Sequence, residues 1–275
     1  MRHLRSPTKP MSAQTLGFSS RANVNSPNSR ALAKMWNEFV NAKKRMQIEG
    51  PFLSRHLASR KAQSVFDSCF GVGADSIYLL QEGYNVTSNE LDLNFVREAM
   101  KNAKEEGLKL RILNYDWLEL EQQVEEGAFD AVLCLGNSLT YLFDYNEQVR
   151  ALEGFRYILR KGGSLILDTR NYDYILNSRF DILESGNFQY SGKYVYCGIE
   201  KVHAVPIRIL EDAVTFEYRH LETGEVGHLV LYPFMVDELR SLLQNAGFGS
   251  LSIFSDYQVG FNPKADFYQF VCAKP

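Results

Sequence analysis

Two glycines and two carboxylates mark the first chemistry visible in this sequence. Between Ser64 and Glu90 the chain reads SVFDSCFGVGADSIYLLQEGYNVTSNE. Val65 and Phe66 form a short apolar run, as a buried parallel strand does, and Asp67 ends it. Gly71 and Gly73 bracket a turn where backbone can approach a ligand closely, since neither carries a Cβ. Ala74 to Gln81 places apolar residues at helical spacing, and Gly83 stops that helix. A second strand starts at Val86 and ends at Asn89-Glu90. An acid at this point can accept hydrogen bonds from both hydroxyls of a ribose. The unit is a nucleoside binder.

Two nucleoside classes compete for it. The dinucleotide fingerprint G-x-G-x-x-G needs a third glycine for close helix–strand packing, and Ser76 stands there instead. Asp67 would repel a pyrophosphate, yet it suits a ligand that carries a cation or an amine. S-adenosylmethionine has no phosphate, a sulfonium and an amino-acid tail. A methyltransferase is therefore favoured over a NAD-dependent oxidoreductase, which stays as the alternative.

The elements that must hold this unit follow from the rest of the chain. Its 275 residues allow one large domain, or one core with an inserted lid. A net charge of -3 implies no general polyanion surface, so nucleic acid is not an expected partner. No apolar run approaches the ~18 residues of a membrane span, so no membrane partner is expected. Cys69, Cys134, Cys197 and Cys272 are scattered without C-x-x-C, and the histidines lack ligand spacing. Neither a disulfide framework nor a metal is expected, and a reducing, cytoplasmic compartment is the default. Residues 1–30 are basic, Ser-rich and acid-free and read as a flexible arm; organelle targeting is the competing reading.

Ala31 to about Gln47 reads as a helix with Leu32, Met35, Trp36, Phe39 and Val40 on its apolar stripe, and Phe52 to Arg60 as a second. After Glu90 come a helix over Leu93 to Glu106 and a strand over Leu110 to Asn114, with Tyr115-Asp116-Trp117 at its carboxyl end. Phe129 to Leu135 is a buried strand ended by Gly136-Asn137-Ser138. Asn146 to Leu159 is a helix with Lys161-Gly162-Gly163 as its stop, and Ser164 to Leu167 a strand ended by Asp168-Thr169-Arg170-Asn171. Strands alternating with helices at this spacing mean a parallel sheet with right-handed crossovers. From about Gly192 the period becomes two. Lys193 to Val202, Ala213 to Leu221 and Gly227 to Phe234 read as antiparallel strands of a lid inserted at about residues 177–235. Val236 to Ala246 is a helix, and Ser250 to Ser255 pairs antiparallel with Phe267 to Ala273 at the sheet edge. The fold class is α/β: a Rossmann-like, seven-stranded, mostly parallel sheet with an antiparallel C-terminal strand and a β lid, over residues 31–275.

The segments GADSIYLLQEGYNVTS, FDAVLCLGNSLTYL and above all DTRNYDYIL resemble the class I S-adenosylmethionine-dependent methyltransferases, in the branch of the glycine and glycine/sarcosine N-methyltransferases. The resemblance implies a site. The turn with Asp67, Cys69, Gly71 and Gly73 carries the methionine part of the cofactor, and Glu90 its ribose. Asp116 and Trp117 match the adenine end, with Leu135 and Tyr141 beside the cofactor. Trp36 and Arg45 match the helix that closes on its amino-acid tail. Asn137 and Arg170 match the pair that grips the substrate carboxylate, with Tyr218 and Tyr196 as lid tyrosines near the amine. The implied substrates are glycine and sarcosine, the implied wider purpose is methyl-pool regulation or betaine biosynthesis, and the implied assembly is a homo-oligomer. The family's N-terminal tyrosine is missing, since no tyrosine precedes Tyr78, and Leu231 replaces a lid tyrosine. A different small amine and a non-catalytic cofactor sensor are the remaining alternatives.

Overall fold

The computed structural model describes residues 24–186 and 201–275. Two helices precede the sheet. α1 (Pro27–Val40) starts at Ser26, whose side chain accepts from Ser29 N, with proline in the first turn. It therefore begins inside the stretch read as arm. α1 ends at Asn41, which sits in the left-handed region at φ 45° and caps α2 (Ala42–Ser59) by accepting from Lys44 N. Asparagine tolerates this conformation better than most residues, because its short polar chain bonds locally. The helix expected over Ala31–Gln47 is thus two helices, and the expected Phe52–Arg60 helix is the far half of α2.

Within α2, Pro51 removes one backbone donor, yet the helix continues over the buried Gly50, Phe52, Leu53 and Leu57. Gly50 is there for space. A Cβ on it would lie 2.6 Å from Tyr78 Cζ, whose hydroxyl bonds Ser54 at 3.0 Å. Gly50→Ala is expected to cost roughly 1–3 kcal/mol through overpacking of a rigid ring, read as a lower midpoint in urea unfolding at unchanged slope.

The central sheet grows from the glycine-turn unit. β1 (Ser64–Asp67) leads through α3 (Ala74–Gln81) to β2 (Asn85–Asn89), then α4 (Leu93–Glu105) and β3 (Arg111–Leu113). A short 3-10 turn and α5 (Leu120–Gln123) lead to β4 (Phe129–Cys134), then α6 (Tyr145–Ile158) and β5 (Leu159–Arg170). All pairings among these five strands are parallel. β1, β4 and β5 are buried on both faces over Val65–Phe66, Ala131–Cys134 and Ser164–Arg170, which explains the unbroken apolar runs Val65–Phe66, Ala131–Cys134 and Leu165–Leu167. β5 is longer than the expected Ser164–Leu167. α6 ends at Leu159 in extended backbone, and Gly162, at φ 74°, lies within the strand rather than stopping the helix.

α7 (Tyr172–Asn177) and α8 (Arg179–Ser185) lead toward a separate antiparallel sheet of β6 (Val202–Ile209), β7 (Val214–His220) and β8 (Val226–Leu231). Of the strand expected at Lys193–Val202, residues 193–200 lie outside the described residues, and Val202 is the first residue of β6. α9 (Val236–Asn245) returns the chain to the main sheet, where β9 (Gly249–Ser255), β10 (Gln258–Val259) and β11 (Phe267–Ala273) follow. The strand order is β10-β9-β11-β5-β4-β1-β2-β3. β11 runs antiparallel between β5 and β9, and the two-residue β10 makes the eighth strand where seven were expected.

One apolar cluster lies between the sheet and α6 and α9, and another between the sheet and α2 and α3. A third joins Leu32, Met35 and Phe39 of α1 to Phe216 and Tyr218 of β7 and Leu229 and Leu231 of β8. That third cluster places the small sheet over the carboxyl ends of β1, β4 and β5. Among the described residues no helix is long and apolar enough to cross a membrane, and no cluster of His, Cys, Asp and Glu can hold a metal.

Candidate functional site

A cleft opens at the carboxyl ends of the parallel strands, where open α/β sheets bind ligands. Its walls include Trp36, Arg45, Cys69, Gly71, Glu90, Asp116, Trp117, Leu135 and Tyr141. These residues are spread from α1 to beyond β4, and only the fold brings them together.

One end of the cleft is charged. Arg45 on α2 pairs through Nε with Glu49 and through Nη2 with Asp75 at 3.0 Å, all three buried. Asp75 lies in the first turn of α3, where the helix dipole favours an acid. Its Oδ1 is buried with no hydrogen-bond partner, an expensive arrangement for a carboxylate oxygen in protein alone. Burial raises the Asp75 carboxyl well above its usual range, and Arg45 opposes the rise. Asp67 accepts from Ser76 Oγ at 2.7 Å, and Ser76 reaches Ser88 Oγ at 2.8 Å. Burial lifts Asp67 to about 6. So Ser76, in place of the third glycine, anchors the carboxylate at the end of β1. A guanidinium beside an unsatisfied carboxylate oxygen suits a zwitterionic amino-acid tail. Asp67 and Gly73 stand behind the wall rather than in it; Gly73, at φ 90°, caps α3.

The other end is shaped for a nucleoside. Gly71, at φ 52°, turns its N–H to Glu90 Oε2 at 3.2 Å, while Asp92 N donates to Oε1 at 3.0 Å. The two bonds fix the Glu90 carboxylate at the end of β2, and burial raises it to about 7. Trp117 donates from Nε1 to Ser68 O at 2.8 Å and meets Phe155 edge-on, which holds its indole upright in the wall. Asp116 caps the turn by accepting from Leu118 N at 3.0 Å. Cys69 donates to Leu135 O at 3.2 Å, and the neighbouring Cys134 thiol, together with burial, pushes its own thiol well up. It is therefore a neutral wall residue and not a nucleophile.

Behind the Trp36 wall lies a second, buried cluster. Trp36 packs on Tyr218 with ring centroids 5.2 Å apart, and Phe39 meets Tyr218 edge-on at 5.0 Å. Arg170 Nη2 reaches Tyr218 Oη at 3.4 Å. The guanidinium lies over Phe216 at 4.9 Å and Phe267 at 5.2 Å, so two rings seat the cation. Asn137, left-handed at φ 63°, donates from Nδ2 to Tyr172 Oη at 2.9 Å and Thr140 Oγ1 at 3.2 Å. Its Oδ1 accepts from Arg170 N at 3.1 Å and Thr169 Oγ1 at 3.2 Å. Asn137 thereby locks the end of β4 to the end of β5. Burial raises Tyr172 to about 12 and Tyr141 higher still, so both phenols stay protonated.

Sequence reasoning assigned no role to Asp75, Glu49, Tyr172 or Thr140. Tyr172 stood inside the quoted DTRNYDYIL, and Asp75 inside GADSIYLL, so motif position was the available signal. Glu49 is visible only as a partner four residues beyond Arg45. Tyr196 lies outside the described residues.

Comparison with known proteins identifies the family and the fold. Residues 65–163 match the family model described as a methyltransferase domain. A solved S-adenosylmethionine-dependent methyltransferase from Clostridium acetobutylicum superimposes with a TM-score of 0.66 at 17% identity, over 89% of this chain and 96% of that one. At that identity it shows the fold alone. The glycine/sarcosine N-methyltransferase of Parasynechococcus marenigrum is 37% identical over 241 residues, covering 87% of this chain and 81% of the relative. That of Aphanothece halophytica is 33% identical, covering 87% and 86%. Identity above 30% over more than four fifths of both chains makes the chain a member of the glycine/sarcosine N-methyltransferase family.

Proposed function

We propose that the protein is an S-adenosylmethionine-dependent N-methyltransferase that acts on glycine and sarcosine. The observation that carries this reading is Arg170: a buried guanidinium, seated on two aromatic rings, behind a cleft suited to a nucleoside with an amino-acid tail. Arginine's planar fork matches a carboxylate with two parallel hydrogen bonds. A small amino acid offers that carboxylate at one end and a nucleophilic nitrogen at the other.

The residues present fit the cofactor. Arg45 and Asp75 hold its carboxylate and ammonium, and Asp75 Oδ1 then gains the donor it lacks. Glu90 takes the ribose hydroxyls, and Asp116 and Trp117 the adenine. Bound there, S-adenosylmethionine supplies a methyl group already activated on its sulfonium. The chain's own task is placement, and alignment of two reactants is worth roughly 7–11 kcal/mol of a barrier. Arg170 fixes the carboxylate of the amino acid, with Asn137 holding the strand ends that carry the pocket. Tyr218 orients the nitrogen. Tyr141 and Tyr172 are protonated donors and supply no phenolate, so neither acts as a general base. The amine gives up its proton to solvent as it enters, and the lid then excludes water.

The test offers glycine, sarcosine and dimethylglycine separately to purified protein with S-adenosylmethionine and reads products by mass. Mass gains of one or two methyls on glycine are expected. Intact cofactor binding with no transfer to any of the three would keep the fold and remove the substrate assignment.

A further inference from the structure

We propose that Glu38 and His220 are positioning residues of this site, holding Tyr218 in place through a bond between α1 and β7. The inference rests on the methyl-transfer reading for its kinetic test. Along β7, Val214, Phe216, Tyr218 and His220 share the buried face. His220 ends that row. Its Nδ1 accepts from Glu222 N at 3.3 Å and Thr223 N at 3.2 Å. Two donors aimed at Nδ1 place the ring proton on Nε2. Nε2 then donates to Glu38 Oε2 on α1 at 3.0 Å, and Lys201 Nζ approaches the same oxygen at 3.5 Å. One β-strand step pair away, Trp36 and Phe39 of α1 pack on Tyr218.

α1 is independently fastened to the core. Asn102 Nδ2 donates to Asn37 Oδ1 at 2.8 Å, and Asn94 Nδ2 to Ser29 Oγ at 2.9 Å. Asn28 also ties α1 to β8, donating to His228 O at 2.8 Å and accepting from His228 N at 2.7 Å, so cutting the Glu38–His220 bond leaves α1 over the cofactor cleft and loosens only the His220 end of β7. The element that moves is the one carrying Tyr218, which touches Arg170. The expected signature is a change in handling of the amine and not of the cofactor.

Glu38→Ala and His220→Ala are each expected to raise KM for glycine about tenfold, with the S-adenosylmethionine Kd within about threefold of wild type. Glu38→Gln restores KM to within about threefold, because a carboxamide oxygen still accepts from Nε2–H. The double alanine variant is no worse than the more severe single one, as for two groups acting through one bond. Lys201→Ala, removing a half-exposed partner, behaves as wild type. A glycine KM within twofold of wild type in both alanine variants overturns the proposal. So does a fall in thermal midpoint without a change in KM, or losses that multiply in the double variant. If wild type methylates no amine, the functional reading fails and the register is read optically. In a Trp117→Phe background Trp36 is the remaining tryptophan of two. Its emission is expected to shift red on Glu38→Ala and not on Glu38→Gln. Unchanged emission in both would reject the coupling by itself.

Discussion

Arg170→Ala is expected to lower kcat/KM for glycine and sarcosine about a hundredfold or more, carried mainly by KM, with S-adenosylmethionine binding nearly unchanged. Arg170 is 4% exposed, and its guanidinium is positioned by two rings and the end of β5. A substrate carboxylate brought into such a site must shed its water. Without the guanidinium nothing of comparable strength replaces that water. Removing one partner of a buried ion pair costs about 3–5 kcal/mol, and each ~1.4 kcal/mol is a factor of ten. Arg170→Lys keeps the charge and loses the fork, so it should recover part of the loss and no more. Steady-state kinetics with each amine, beside calorimetric titration of the cofactor, decides the matter. An alanine variant with wild-type KM for glycine would remove Arg170 from the substrate site.

The second large effect is on pH. Affinity for S-adenosylmethionine is expected to fall about tenfold between pH 8 and pH 6. Glu90 is raised to about 7 by burial, so the free protein keeps its proton up to that pH. Only the ionised carboxylate can accept from two hydroxyl donors at once. Binding therefore requires deprotonation, weakens as pH falls through about 7, and releases a proton into the buffer. Titration calorimetry in two buffers of different ionisation enthalpy reads that proton directly. Glu90→Gln should bind more weakly at pH 8 and lose most of the pH dependence. A Kd that is flat between pH 6 and 8 in the wild type would show that Glu90 does not carry the ribose.

The same shift acts on the fold with the opposite sense. An acid whose pKa is raised in the folded state binds more protons folded than unfolded. Stability then declines as pH climbs from the ordinary carboxylate range to about 6 for Asp67 and about 7 for Glu90. Asp130 is held well below that range by Ser64, Gln63 and Arg160 and loses its contribution only in strong acid, so the two windows are separate.

Much of the α/β core could be read from residue order because local rules and tertiary packing agree there. Val65-Phe66, the Gly71/Gly73 turn and the helix from Ala74 to Gln81 appear where their patterns put them. Errors fell where a local cue had two meanings. Asn41 is an ordinary helix residue in sequence, and only its left-handed backbone splits α1 from α2. Gly162-Gly163 resembles a helix stop, yet a Cβ on Gly163 would sit 2.8 Å from Arg160 O and 2.9 Å from Asp130 O, so crowding within β5 and against β4 demands the glycine. In the site, residues at strand ends were legible, because strand ends are where ligands bind. The Arg45–Glu49–Asp75 cluster was not, since α2 meets α3 only in three dimensions.

The placement of β11 has a consequence for how the protein is made. Phe267–Ala273 is the latest strand in the chain, yet it lies inside the sheet, between β5 and β9. Phe267 pairs with Arg170, and its ring forms one side of the guanidinium's seat. During synthesis β5 and β9 hold open hydrogen-bonding edges until that strand arrives, the condition under which nascent chains pair wrongly. The turn and helix that receive the cofactor can assemble far earlier from neighbours in sequence. Maturation is therefore ordered in time: the nucleoside cleft takes shape during elongation, and the seat proposed for the amino acid is completed last.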